Sequence, residues 1–156
     1  MTLRRLGMNA PMKYVEQLDR QQRAHAETNL IMALFKKRPK PVSLESYQHL
    51  QELVDSGKPV LVDFFQHGCG PCKVMDGIVN ELAEEFNESA IVVKANVVNV
   101  PEALDTFKVR STPTFVVLTK KPEANKVTQR WRASGLVKKD VLTKSLISAG
   151  ASPNDS

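Results

Sequence analysis

Val60-Leu61-Val62-Asp63-Phe64-Phe65-Gln66-His67-Gly68-Cys69-Gly70-Pro71-Cys72 decides how this chain is read. Its first six residues form an apolar run of the length and kind of a buried strand. The run leads into both cysteines of the 156-residue protein, which are two residues apart. Beyond Cys72, apolar residues at Met75, Ile78, Val79, Leu82 and Phe86 recur at helical spacing. A thiol pair at a strand-to-helix junction is the arrangement that dithiol/disulfide exchange needs.

Position alone separates the two sulfurs. Cys69 sits at the N-terminus of a helix expected to begin near Cys72, where free amide groups and partial positive charge favour a thiolate. Cys69 is therefore the expected attacking sulfur. Cys72, about one turn later, is deeper and can reach back to break a mixed disulfide. Pro71 fixes the backbone between them and influences the redox poise. A structural role explains the pair poorly, because a two-residue gap closes too small a loop to staple a fold. Zinc is not supported either, since His25, His49 and His67 show no paired ligand spacing. Asp63 is a carboxylate inside an apolar run, and a buried carboxylate needs a partner or a purpose.

The surrounding pattern is regular. Ser43 is the expected N-cap of a helix to about Asp55, with Gly57 as its stop. Ile91–Val98 reads as a second apolar strand and Pro101–Phe107 as a short helix opened by its proline. Thr114–Thr119 reads as a third strand. Residues 126–133 alternate as a half-exposed antiparallel strand does, and Val137–Ile147 reads as an amphipathic helix. The expected fold is an α/β sandwich around a mixed sheet flanked by helices, with an N-terminal helical extension. The expected domain spans residues 43–148, followed by a disordered tail over 149–156.

These residues resemble the thioredoxin family. Cys69-Gly70-Pro71-Cys72-Lys73 behind Val62-Asp63-Phe64 is similar to that family's active site, and Asp63 stands where its buried aspartate does. Ser111-Thr112-Pro113-Thr114-Phe115 is similar to its cis-proline loop, and Lys94 to a lysine near the aspartate. The resemblance covers about residues 40–147. It implies a thioredoxin-like three-layer sandwich and a protein-disulfide reductase whose redox-active disulfide is Cys69–Cys72, with no organic cofactor or metal. It implies that Asp63 takes and returns the Cys72 proton, that Lys94 moderates the Asp63 pKa, and that Pro113 packs in cis over the disulfide. The backbone at Thr112 would then pair with an extended substrate segment. Protein disulfides are the implied substrates, and a thioredoxin-reductase-like or dithiol protein is the implied electron donor. The chain departs from the family at Gly68, where tryptophan is usual in the substrate lip. His67 beside it is also unusual and, if protonated, would stabilise the Cys69 thiolate.

Charge separates the domain from what precedes it. Residues 1–42 hold nine Lys/Arg and three Asp/Glu, a balance of +6, whereas the remainder of the chain, whose total is +5, is at −1. The basic character belongs to the extension. Its first 15 residues contain Arg4, Arg5 and Lys13 and no acid, and read as an organelle transit segment, which gives a mitochondrial expectation with the cytoplasm as the alternative. Residues 14–35 lack Gly and Pro and suit a helix ending in the apolar run Leu30-Ile31-Met32-Ala33-Leu34-Phe35. That run is expected to dock on something, including a larger protein assembly, so a non-catalytic adaptor is the alternative function. Lys36–Lys40 reads as a solvated linker rather than a nucleic-acid site. No apolar stretch is long enough for a transmembrane helix.

Overall fold

The computed structural model describes residues 12–35, 37–121, 123 and 126–154, with side chains described from residue 20 apart from residue 35. The chain divides into two units, Met1–Arg38 and Pro39–Ser156. The first contains α1 (Met12–Phe35), in which Leu30, Ile31, Met32 and Leu34 are exposed. Residues 1–11, most of the stretch read as a transit segment, lie outside the described residues. Among the described residues, no helix is long and apolar enough to cross a membrane.

The second unit is a three-layer α/β/α sandwich. Its elements are β1 (Val42–Ser43), α2 (Tyr47–Asp55), β2 (Val60–Phe65), α3 (Gly70–Glu85), β3 (Ile91–Asn96), α4 (Pro101–Thr106), β4 (Thr114–Lys121), β5 (Lys126–Ser134) and α5 (Lys139–Ser148). The sheet order is β1-β3-β2-β4-β5. β3 runs parallel to both β1 and β2, and β4 runs antiparallel to β2 and β5. The sheet is therefore mixed, as expected.

Alternation along the strands sorts the core into two halves. Val60, Val62 and Phe64 of β2 join Leu50 and Val54 of α2 and Ala103 of α4 on one face. Leu61 joins Phe115 and Val117 of β4, Met75, Val79 and Leu82 of α3, and Leu142 and Leu146 of α5 on the other. By the same alternation Asp63 belongs to the α3 and α5 face, where every other position along β2 is apolar.

Local chemistry fixes the helix ends. The Ser46 side chain accepts from the His49 N–H at 3.1 Å and opens α2. The Gly57 N–H bonds to the Val54 carbonyl, and its φ of +84° is the left-handed conformation that ends helices. Ser43 is therefore not the cap. Val42 and Ser43 pair with Val93 and Lys94 of β3, and the next N–H, that of Leu44, donates to Lys94 O at 2.9 Å. Leu44 is buried, so the chain must stay extended to place it in the core before the helix starts. This added edge strand moves the start of the domain to Pro39.

Other boundaries shift as well. α3 begins at Gly70, because Cys69 is its cap. β3 ends at Asn96, whose side-chain oxygen accepts from the Val98 N–H and turns the chain. α5 begins at Lys139, two residues later than expected. The tail reading also fails as far as residue 154. Ala151 is buried, the Asn154 N–H donates to Glu85 O at 2.7 Å, and its side-chain amide donates to Glu84 O at 2.9 Å. These bonds satisfy carbonyls at the C-terminal end of α3 that the helix itself leaves open.

Candidate active site

β2 delivers the chain to the site and α3 carries it away. Cys69 and Cys72 are joined by a disulfide, with their Cα atoms 5.3 Å apart. Cys69 caps α3: its Sγ accepts from the Cys72 N–H at 3.2 Å. Pro71 fills the first turn, where its missing N–H costs no helical bond. The sulfurs differ in access, since Cys69 is half-buried whereas Cys72 is 4 % exposed.

The loop before β4 closes the site from the other side. The Thr112–Pro113 peptide bond is cis, and the Thr112 carbonyl oxygen lies 3.6 Å from Cys69 Sγ. The loop is held by the Thr114 hydroxyl, which donates to Ser111 O at 2.7 Å, and by the Gly135 N–H, which donates to Pro113 O at 2.8 Å. Thr112, Pro113 and Cys69, about forty residues apart in sequence, are thus brought together by the β2–β4 pairing.

Asp63 is fully buried, and no described group hydrogen-bonds to either of its carboxylate oxygens. Burial pushes its pKa up to about 7; the Lys94 ammonium opposes that rise and the Asp76 carboxylate adds to it. Asp63 and Lys94 are register partners across β2 and β3. The Lys94 Nζ is nevertheless bonded to Asp76 Oδ1 and lies 4.7 Å from the centre of the Phe65 ring.

An open cleft of about 610 Å³ exposes much of this chemistry, lined by His67, Gly68, Cys69, Cys72, Asp76 and Lys94 among others. His67 is exposed, and its ring meets Phe65 edge-on at 5.7 Å. Gly68 has a φ of +79°. Asp76 is the residue that sequence reasoning missed. Its one available signal is its place one turn after Cys72, on the helix face that looks toward β3.

This geometry coincides with a known domain. The family model described as "Thioredoxin" matches residues 40–142, more than half of the chain. The chain belongs to the thioredoxin family. Among curated relatives, thioredoxin of Pyropia yezoensis is 40% identical over 67 residues, which cover 43% of this chain and 63% of that protein. Thioredoxin-1 of Drosophila melanogaster is 38% identical over 76 residues, covering 49% of this chain and 70% of that one. The chain thus spans a little under two thirds of the first of these relatives. Among solved structures, an N21Q mutant thioredoxin from Halobacterium salinarum superposes with a TM-score of 0.61 at 26% identity, covering 70% of this chain and 90% of that one. Within the thioredoxin family tryptophan is usual before the first cysteine, and the left-handed φ of Gly68 is the local reason that glycine suits this loop.

Proposed function

We propose that the protein is a thiol–disulfide oxidoreductase that reduces protein disulfides through Cys69 and Cys72. The observation that carries this reading is the unequal burial of two bonded sulfurs at the start of α3, above a face of the sheet that holds a buried carboxylate. In the reduced state the Cys69 thiolate attacks a substrate disulfide. A Cys69–substrate S–S bond forms, and one substrate sulfur leaves as a thiolate. Cys72 then gives its proton to Asp63 and attacks Cys69 Sγ, which expels the second substrate thiolate and leaves the Cys69–Cys72 disulfide. Two electrons pass from the dithiol to the substrate, and Asp63 returns the proton. The helix N-terminus stabilises the Cys69 anion, and the Cys72 N–H is already aimed at its sulfur. A carboxyl group that ionises near 7 suits proton exchange at neutral pH.

The Thr112 backbone and the open Gly68 turn form the substrate-facing rim, and an extended segment of the partner would lie against Thr112 as an added strand. Lys94 moderates the Asp63 proton, and exposed His67 lines the cleft beside Gly68. The disulfide itself is the redox group, so the domain needs no organic cofactor or metal. A dithiol protein or a thioredoxin-reductase-like enzyme supplies electrons. Mitochondrial residence, with α1 as a docking helix for a larger assembly, completes the proposal. Cell fractionation and the native size of the full chain in extract test those two parts.

The deciding experiment is reduction of insulin disulfides with dithiothreitol as electron source, beside equilibration of the pair with a redox buffer. Turnover with a potential near about −270 mV supports a reductant. A pair that does not titrate, with no turnover, sinks the reading.

A further inference from the structure

Lys94 stands opposite Asp63 in the sheet, yet the two do not hydrogen-bond. The Lys94 ammonium is instead bonded to Asp76 on α3 and rests over the Phe65 ring, at the cleft that Cys69 and Cys72 also line. We propose that Asp76 is a positioning residue: it holds the Lys94 charge at the cleft mouth and so leaves the Asp63 carboxyl without a cationic partner. The proposal rests on the proton-exchange role given to Asp63 above.

The groups around Asp63 limit the alternatives. β3 contributes Lys94, and α3 contributes Asp76. β4 contributes Phe115 as register partner, and the buried side chains of α5 are Leu142, Ser145 and Leu146. Lys94 and Asp76 are therefore the two charges that bear on Asp63. A carboxylate left buried and unpaired favours its protonated form, and a cation brought beside it favours the ionised one. Asp76 acts in one direction by two routes. Its own negative charge disfavours ionisation of Asp63, and its grip on Lys94 withholds the cation that would favour it. Asp76 and Lys94 are each only partly exposed, at 42% and 25%, so water weakens the pair without cancelling it.

The test is a titration of the Asp63 carboxyl by carbon-13 NMR in the reduced full-length protein, with the resonance assigned by its loss in Asp63→Asn. In Asp76→Asn the midpoint falls by about one pH unit, because the freed Lys94 can turn to Asp63. In Lys94→Met it rises. In the double variant Asp76→Asn/Lys94→Met, the shift caused by losing Asp76 is smaller than in the Lys94 background. Asp76→Glu, which keeps an acid for Lys94, restores the parent midpoint. A midpoint unmoved by Asp76→Asn, or moved equally with and without Lys94, overturns the proposal. The pH profile of insulin reduction judges the underlying reading separately. If Asp63→Asn leaves that profile unchanged, the proton-exchange role fails, whatever the titration says of Asp76.

Discussion

The backbone N–H of Cys72 points at the sulfur of Cys69, 3.2 Å away, so the attacking atom and an amide in the first turn of its helix are already in contact. Charge on Cys69 Sγ therefore meets a donor with no rearrangement, and Cys72 stays beneath it, close to fully buried. Replacing Cys72 with serine should leave the first step intact and abolish the second. A covalent complex with a substrate protein should then accumulate and be visible on a non-reducing gel. Cys69→Ser should form none.

The Asp63 carboxyl makes stability depend on pH in an unusual direction. Its pKa is about 7 in the fold, against the ordinary 3.8. Between those values the folded chain holds more protons than the unfolded one, so stability falls as pH rises from about 4 through 7. Asp63→Asn removes that dependence. The variant should match the parent near pH 4 and exceed it above pH 7 by up to about 4 kcal/mol in urea unfolding. A parent whose stability is flat across that window contradicts the assignment.

Gly68 is constrained by backbone rather than by space. Its φ is +79°, and a β-carbon there would meet no atom within 4 Å. Gly68→Ala should cost about 1 kcal/mol by denaturant unfolding. Gly68→Trp should cost a similar amount, because the obstacle is conformational and not steric. A larger loss for tryptophan would point to crowding.

The C-terminal segment is a structural part of the domain. Asn154 satisfies carbonyls at the end of α3, and Ala151 is buried beside it. Asn154→Ala should destabilise the domain by about 1–2 kcal/mol. Hydrogen exchange should quicken at the last turn of α3 while β2 remains protected.

Legibility in the sequence followed the range of the interaction. β2 matches its expected bounds because six consecutive residues carry the signal. The family motif made Cys69, Cys72, Asp63 and Pro113 visible together. β1 was invisible because two residues between prolines and a helix carry no period, and its pairing with β3 is set by the burial of Leu44. Ser43 and Ser46 are equally good caps in isolation, and only the strand decides between them. Asp76 and Asn154 escaped for one reason. Each is an ordinary polar residue whose partner lies 18 or about 70 positions away and is brought near only by the finished sheet and helix.

The unequal burial of the sulfurs also governs how partners compete. A partner can reach Cys69 and not Cys72, so the protein is monovalent toward the outside even though it carries two thiols. If the protein is the reductase proposed above, two clients are never held at once, and each waits until the internal thiol has released the one before. In a crowded mixture the slowest client to be released sets the traffic for all the others, and any abundant slow client is an inhibitor without having a second binding site.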